Sequence, residues 1–329
     1  MNKLDINCFH SITAFLTPLE IKRLGICSKQ NNDMCKYFMT YSYNEHGCDE
    51  TYAEMKNIKW IIKDCTEEML NDISKKQLNA CKITFGINFN QSINALSNCV
   101  QLQQLTFGGR FTQPIDTLSN CTQLQQLTFG SNFNKLIDAL SNCIQLQQLT
   151  FGWDFNRSID ALSKCTQLQR LTFGTWFNQR IDALSKCTQL QQLTFGASFN
   201  QPIDALSNCA QLEQLTFDWN FNQPIDALSN CIQLQQLTFG WDFNLSIDAL
   251  SKCIQLQQLT FGRDFNQPID ALSNCAQLQQ LTFGWDFNQP IDVLSNCAQL
   301  KKIVFRKKMS NDINILQASL PNLTVEYLF

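Results

Sequence analysis

Histidine is almost absent from this chain: His10 and His46 are the two in 329 residues. Everything after residue 46 therefore lacks the commonest general base and one of the commonest metal ligands. Charge is also sparse. Asp, Glu, Lys and Arg make up 16% of residues, and the formal net charge is -3. That balance gives no general attraction to nucleic acid or to an anionic membrane, so neither is expected as a partner. No apolar run approaches the ~20 residues that cross a bilayer. Residues 1–13 lack the basic stretch followed by an apolar one that marks a secretory signal. The expected location is the cytoplasm or nucleus. Glycine is scarce, with twelve residues, and none builds a phosphate-binding loop or a nucleophile elbow. Catalysis needs unlike groups converging at one point. The sequence shows no such convergence, so neither an enzyme nor a cofactor is expected.

Cysteine and phenylalanine, by contrast, are abundant, with 16 and 25 residues. In a small secreted chain so many cysteines would signal disulfides. Here ten share one phase of a repeat, which fits free thiols in a reducing compartment. The repeat itself is plain. Leu105-Thr106-Phe107-Gly108 recurs, with one exception at the glycine, from Leu127, Leu149, Leu171, Leu193, Leu215, Leu237, Leu259 and Leu281, in steps of 22 residues. Ile83 and Ile303 extend the phase at both ends. A fixed period of this size signals a solenoid.

One unit shows the mechanics. Gln192-Leu193-Thr194-Phe195 alternates polar and apolar, the pattern of a half-buried strand. Gly196 is expected to turn the chain through a conformation closed to most residues. Pro202 keeps the next stretch out of a helix interior. Asp204 is placed to N-cap a short helical turn. Ile203, Leu206, Cys209 and Leu212, three apart, line one side of that turn. A single coil cannot enclose its apolar face, so stacked neighbours must bury like on like. The expected fold class is an α/β solenoid: a right-handed array of 22-residue coils, each a parallel strand plus a short helical turn. Boundaries are expected at 1–45 for a small all-α head, 46–80 for a helical linker and N-terminal cap, 81–310 for the repeats, and 311–329 for a C-terminal cap. Within the linker, a helix is expected near 53–62, with Trp60 packing on it.

Four columns of the repeat carry chemistry. The Cys column, Cys99 to Cys297, could be a metal ladder or small apolar core filling. The second is favoured, because there is no Cys-x-x-Cys and zinc needs closely spaced ligands. The Asn column, including Asn134, Asn156, Asn200, Asn222 and Asn266, is expected to hydrogen-bond from coil to coil. Thr112 breaks it. The Asp column, Asp116 to Asp292, could bind calcium, but the repeats are not glycine-rich, which favours helix capping. The outward strand residues, such as Gln104, Thr106, Gln126 and Thr128 (with Arg170 as an exception), give a uniform polar face of low specificity. The basic run Arg306-Lys307-Lys308 reads as a solvated end.

The two positions after the strand glycine behave differently, varying on an otherwise constant frame. Five of the six tryptophans lie there. Trp153, Asp154, Trp176, Trp219, Trp241, Asp242, Arg263, Asp264, Trp285 and Asp286 occupy these positions, and Asp218 replaces a glycine just before Trp219. A variable surface on a fixed frame is how repeat proteins select ligands, and tryptophan is enriched at interface hot spots. The competing reading is packing between adjacent loops, with the aspartates as turn residues. If the side chains face solvent, they form an aromatic, acidic stripe suited to a target protein with a basic patch.

Two resemblances follow. Leu4-Asp5-Ile6, Ile12, Phe15-Leu16, Thr17-Pro18-Leu19-Glu20-Ile21, Leu24 and Cys27-Ser28-Lys29 resemble an F-box, although Leu4-Asp5 stands where that motif opens with Leu-Pro. Phe199-Asn200-Gln201-Pro202-Ile203 and its copies resemble FNIP repeats, which are leucine-rich-repeat-like. Head plus array is similar to the F-box and FNIP-repeat proteins of giant amoebal viruses. That resemblance implies a substrate receptor acting in a host cell. Leu4, Ile6, Ile12, Leu16, Pro18, Leu19, Ile21 and Leu24 would dock on a Skp-type adaptor of a cullin ubiquitin ligase, and the repeats would hold the target. The alternative is a scaffold that sequesters host proteins without ubiquitin chemistry.

Overall fold

The computed structural model describes residues 40–42, 59–65, 67, 70, 80–308 and 313–328. Its frame is one parallel sheet of 14 strands whose spatial order follows the sequence. Strand β1 is Thr40–Ser42, β2 is Lys59–Cys65 and β3 is Ala80–Phe85. Nine three-residue strands follow, from β4 at Gln104–Thr106 to β12 at Gln280–Thr282, spaced 22 residues apart. Strand β13, Lys302–Phe305, and strand β14, Thr324–Tyr327, complete the sheet. From β4 to β12 the register has no offset: Leu193 lies on Leu215, Thr194 on Thr216 and Gln192 on Gln214. Each coil's apolar side is thereby closed by its neighbours, as the periodicity requires.

The turn on the far side of each coil is a five-residue 3-10 helix, the first at Asn94–Asn98 and the last at Asp292–Asn296. A 3-10 helix has three residues per turn, so positions three apart eclipse. This is why Ile203, Leu206, Cys209 and Leu212 all point inward; none is more than 1% exposed. The expected aspartate N-cap is not formed. Isoleucine occupies the cap position, no side-chain cap hydrogen bond is made, and Asp204 is the first residue of the turn itself. The carboxylates of this column are exposed and sit in the first turn, where the partial positive charge of the helix start is weakly favourable. Several serines brace the turn instead, as where the Ser141 hydroxyl donates to the Asp138 carbonyl at 2.7 Å.

Inside, two phenylalanine ladders run the length of the array. Phe195 stacks on Phe217 of the next coil with ring centroids 5.5 Å apart, and Phe199 on Phe221 at 6.1 Å. Within one coil Phe195 and Phe199 are 3.8 Å apart. Offset stacking of this kind adds to the area term. The core holds no buried polar or charged residue among those described. The asparagine column does link coils: the Asn200 amide N–H donates to the Asn178 side-chain oxygen at 3.0 Å, and Asn222 repeats this on Asn200. Where Thr112 stands in the column, its own N–H still reaches Asn90 at 2.8 Å.

Two expectations at the ends are corrected. The stretch expected to be a helix near 53–62 contains a strand instead: β2 pairs with both β1 and β3, with Trp60 in register with Tyr41 and Ala80. Helical spacing of apolar residues lost here to the free backbone edge that β3 offers, since an unpaired sheet edge templates further strand. Strand β1 likewise lies inside the 1–45 segment expected to be all helical. At the other end the cap is one more coil. Helix α1, Ile313–Ser319, replaces the 3-10 turn, Leu316, Leu320 and Leu323 are buried, and β14 extends the sheet.

Leu237 is 1% exposed in the middle of the array. Leu237→Ala should lower stability by ~2–5 kcal/mol, the usual cost of truncating a buried leucine. Urea unfolding followed by circular dichroism reads this directly.

Candidate protein-binding surface

Each repeat strand ends at its threonine and is followed by the column phenylalanine, the glycine column and then the two variable positions. A backbone ladder holds these loops. The N–H of the second variable residue donates to the carbonyl of the first variable residue one coil earlier: Trp176 to Trp153 at 2.9 Å, Asp242 to Trp219 at 2.9 Å, and Asp286 to Arg263 at 3.0 Å. Because the ladder uses main-chain groups only, the side chains are free to differ from coil to coil. The glycines serve this close approach rather than an unusual backbone angle. A Cβ on Gly196 would overlap the carbonyl oxygen of Gly174, and one on Gly262 that of Gly240. No left-handed φ occurs at these positions, which corrects the expectation that Gly196 supplies one. Asp218, the exception in the column, is accommodated with its carboxylate accepting the Trp219 N–H at 2.9 Å.

The variable side chains face solvent. Trp153, Trp176, Trp219, Trp241 and Trp285 are 66%, 59%, 52%, 50% and 47% exposed, which is incompatible with burial between loops. Neighbours in the row do touch: Trp219 and Trp241 stack at 5.1 Å and 20°. Between this row and the outward strand threonines runs a groove of about 830 Å³ over the last five repeat coils. Its outer wall is Trp219, Trp241, Arg263, Trp285 and Lys307; Thr216, Thr238, Thr260 and Thr282 form the inner wall. Gly240, Gly262 and Gly284 lie along its floor, with Asp218 at one end and Arg306 at the other.

The groove thus gathers Asp218, Trp219, Trp241, Arg263, Trp285 and Asp286 from the expected set. Trp153, Asp154 and Trp176 lie on earlier coils outside it, and Asp242 and Asp264 do not line it. Trp176 also stands one position later in its coil than the other four tryptophans, in the column otherwise rich in aspartate. Two cations were passed over as a solvated end. Lys307 falls 22 residues after Trp285 and Arg306 22 after Gly284, so the column phase already placed both in the groove. Ile87, 70% exposed, occupies the same column at the other end of the array. The eight F-box-like positions, Leu4 to Leu24, lie outside the described residues.

The cysteine column is inert. Its Sγ groups donate inward to main-chain carbonyls, as from Cys165 to Leu140 at 3.4 Å and from Cys231 to Leu206 at 3.5 Å. Burial pushes the thiols up from 9.0, to about 12 at Cys143 and about 11 at Cys253. Among the described residues no cluster of three His, Cys, Asp or Glu could hold a metal ion.

This geometry defines a leucine-rich-repeat solenoid with a loop-borne surface. The BspA-type leucine-rich repeat region matches in six copies, over residues 49–160, 119–226, 156–245 and 224–317. The chain belongs to that family. No curated protein matches its sequence. Among solved structures, an internalin (InlF) from Listeria monocytogenes is similar with a TM-score of 0.68 and 20% identity, over 87% of this chain and 84% of that one. CroV588, a circular leucine-rich-repeat protein, has a TM-score of 0.58 and 28% identity, over 88% of this chain and 44% of its own. The functional domain of InlJ from Listeria monocytogenes, which includes a cysteine ladder, has a TM-score of 0.58 and 14% identity, over 88% and 62%. The chain thus spans less than half of CroV588. No helix among the described residues is long and apolar enough to cross a membrane.

The folded chain keeps its thiol protons to higher pH than the unfolded chain. Above about pH 9 the unfolded chain sheds protons that the folded one retains, so stability should fall as pH rises toward 12. Urea midpoints across that range read the decline. A Cys143→Ala, Cys165→Ala variant should show a shallower slope.

Proposed function

We propose that the protein is a non-enzymatic substrate receptor whose repeats capture a target protein through the exposed tryptophan row. The observation that carries this reading is a set of large aromatic side chains held in water by a backbone ladder that does not need them. Exposed aromatic area on a rigid frame is what hot spots use, because little side-chain entropy is lost on binding. In this reading the F-box-like residues Leu4, Ile6, Ile12, Leu16, Pro18, Leu19, Ile21 and Leu24 dock on a Skp-type adaptor of a cullin ubiquitin ligase. The resemblance of the repeats to FNIP repeats of giant amoebal virus proteins supports a location in the cytoplasm or nucleus of a host cell. The free, buried thiols of the cysteine column are consistent with a reducing compartment. Asp242 beside the groove and Asp154 on an earlier coil add attraction for a target carrying lysine or arginine.

A second reading has one sequence feature in its favour. Leu4-Asp5 departs from the usual Leu-Pro opening, which suits a scaffold that sequesters host proteins without a ligase.

Co-expression with a Skp-type adaptor tests the first reading: the intact chain should co-purify with it, and Leu16→Asp or Leu19→Asp should abolish the association. An intact chain that fails to associate favours sequestration. For the repeats, Trp241→Ala and Trp285→Ala should leave the melting temperature within a few degrees of wild type while weakening capture of the target from host lysate. Unfolding of both variants would show that the rings are structural.

A further inference from the structure

The groove beside the tryptophan row carries a lone carboxylate at one end and two cations at the other, with Asp286 one coil inside them. Asp218 stands at one end of its floor. Arg306 stands at the other, with Lys307 on the wall beside it. Between them Gly240, Gly262 and Gly284 raise no side chain. Arg263 adds a third cation at mid-length, two coils from either end, with its guanidinium 3.9 Å from the Asp264 carboxylate. The stacked Trp219–Trp241 pair lies at the Asp218 end. We propose that this groove binds an extended peptide segment of a partner protein, running along the solenoid axis. One cationic group would sit at Asp218, an apolar side chain against Trp219 and Trp241, and carboxylates at Arg306 and Lys307. This rests on the receptor reading above and adds the shape and charge order of the captured segment.

The dimensions fit. Asp218 and Arg306 are four coils apart, and parallel strands stack ~4.8 Å apart, so the floor is about 19 Å long. An extended chain advances ~3.3 Å per residue, which makes the site about six residues long. Thr216, Thr238, Thr260 and Thr282 also line the groove, one per coil, and supply hydroxyls that can donate or accept along the segment. Guanidinium groups pair with carboxylates in a two-pronged geometry that a lysine-rich ligand cannot exploit. The target's basic patch, if present, would meet the rim carboxylates rather than the far end of the floor. A single-stranded nucleic acid would also find rings and cations here. It would, however, bring phosphates against Asp218 and Asp286 in the groove and Asp242 and Asp264 nearby, on a chain of net charge -3, so the peptide is favoured.

Five of the six tryptophans belong to the exposed row, so intrinsic fluorescence of the full chain reports occupancy. The probe is a capped heptapeptide, Lys-Gly-Phe-Leu-Gly-Glu-Glu, compared with a version carrying lysines in place of the glutamates and with a ten-nucleotide oligouridine. The glutamate peptide should bind most tightly. Arg306→Glu with Lys307→Glu should weaken it at least about tenfold, and Asp218→Lys should weaken it several-fold, with unchanged circular dichroism. The proposal is overturned if the glutamate peptide gives no fluorescence change at millimolar concentration, if the lysine peptide or oligouridine binds more tightly, or if the charge reversals leave its affinity unchanged. Capture of target from lysate separates the two claims. If Trp241→Ala and Trp285→Ala reduce capture while the charge reversals do not, the receptor reading stands and the charge order falls. If the tryptophan variants also capture normally, the receptor surface itself is wrong.

Discussion

A coil of 22 residues has an apolar side that it cannot close alone, and everything else in this molecule follows from the way two such coils meet. They meet without offset, leucine on leucine and phenylalanine on phenylalanine. Zero offset requires the same residue size at the same phase, which fixes the Leu, Phe, Ile and Cys columns. It also brings the main chains close at the loop, where a Cβ added at Gly196 or Gly262 would strike the carbonyl of the coil before, while Asp218 and Arg306 carry side chains at the same phase. Fold and tolerance for variation are thus set by one contact repeated along an axis.

That contact also explains why the two positions after the strand glycine can vary; the pair before the column isoleucine (Lys135-Leu136, Arg157-Ser158) and the residue after the column cysteine (Ile144, Ala210) vary as well. The inward columns fill the core and the asparagines hydrogen-bond to the next coil. At the loop, only main-chain groups carry the link between coils. Selection can therefore place Gly109, Trp153, Arg263 or Trp285 there without altering the packing beneath. The loop row is variable because the backbone there is satisfied, not because the loop is loose.

Much of this was legible in the sequence. Periodicity alone placed the repeat strands and the inward columns, and it singled out the two positions after the glycine while leaving open whether their side chains face solvent. What it missed depended on details that phase does not encode. The helix-like spacing around residues 53–62 gave way to strand β2 because a free sheet edge lay beside it. The aspartate column looked like caps, but in a 3-10 turn the isoleucine takes the cap position and the aspartate falls one residue inside. The Gly196 column looked like a turn signal, yet its reason is contact with a neighbouring coil that local sequence cannot show. Arg306 and Lys307 were read as an end of the chain because the hydrophobic repeat fades there, although their phase matched Gly284 and Trp285.

The unbroken register has an evolutionary corollary. Since every interior coil presents the same upper and lower surfaces, loss or gain of a whole 22-residue unit restores each seam it cuts. Unequal recombination within such a gene would lengthen or shorten the protein in complete units, moving Asp218 and Arg306 nearer or farther apart in steps of one strand spacing. An insertion of one residue would instead shift every inward side chain downstream of it until the phase was regained. The architecture is thus forgiving of large edits and intolerant of small ones.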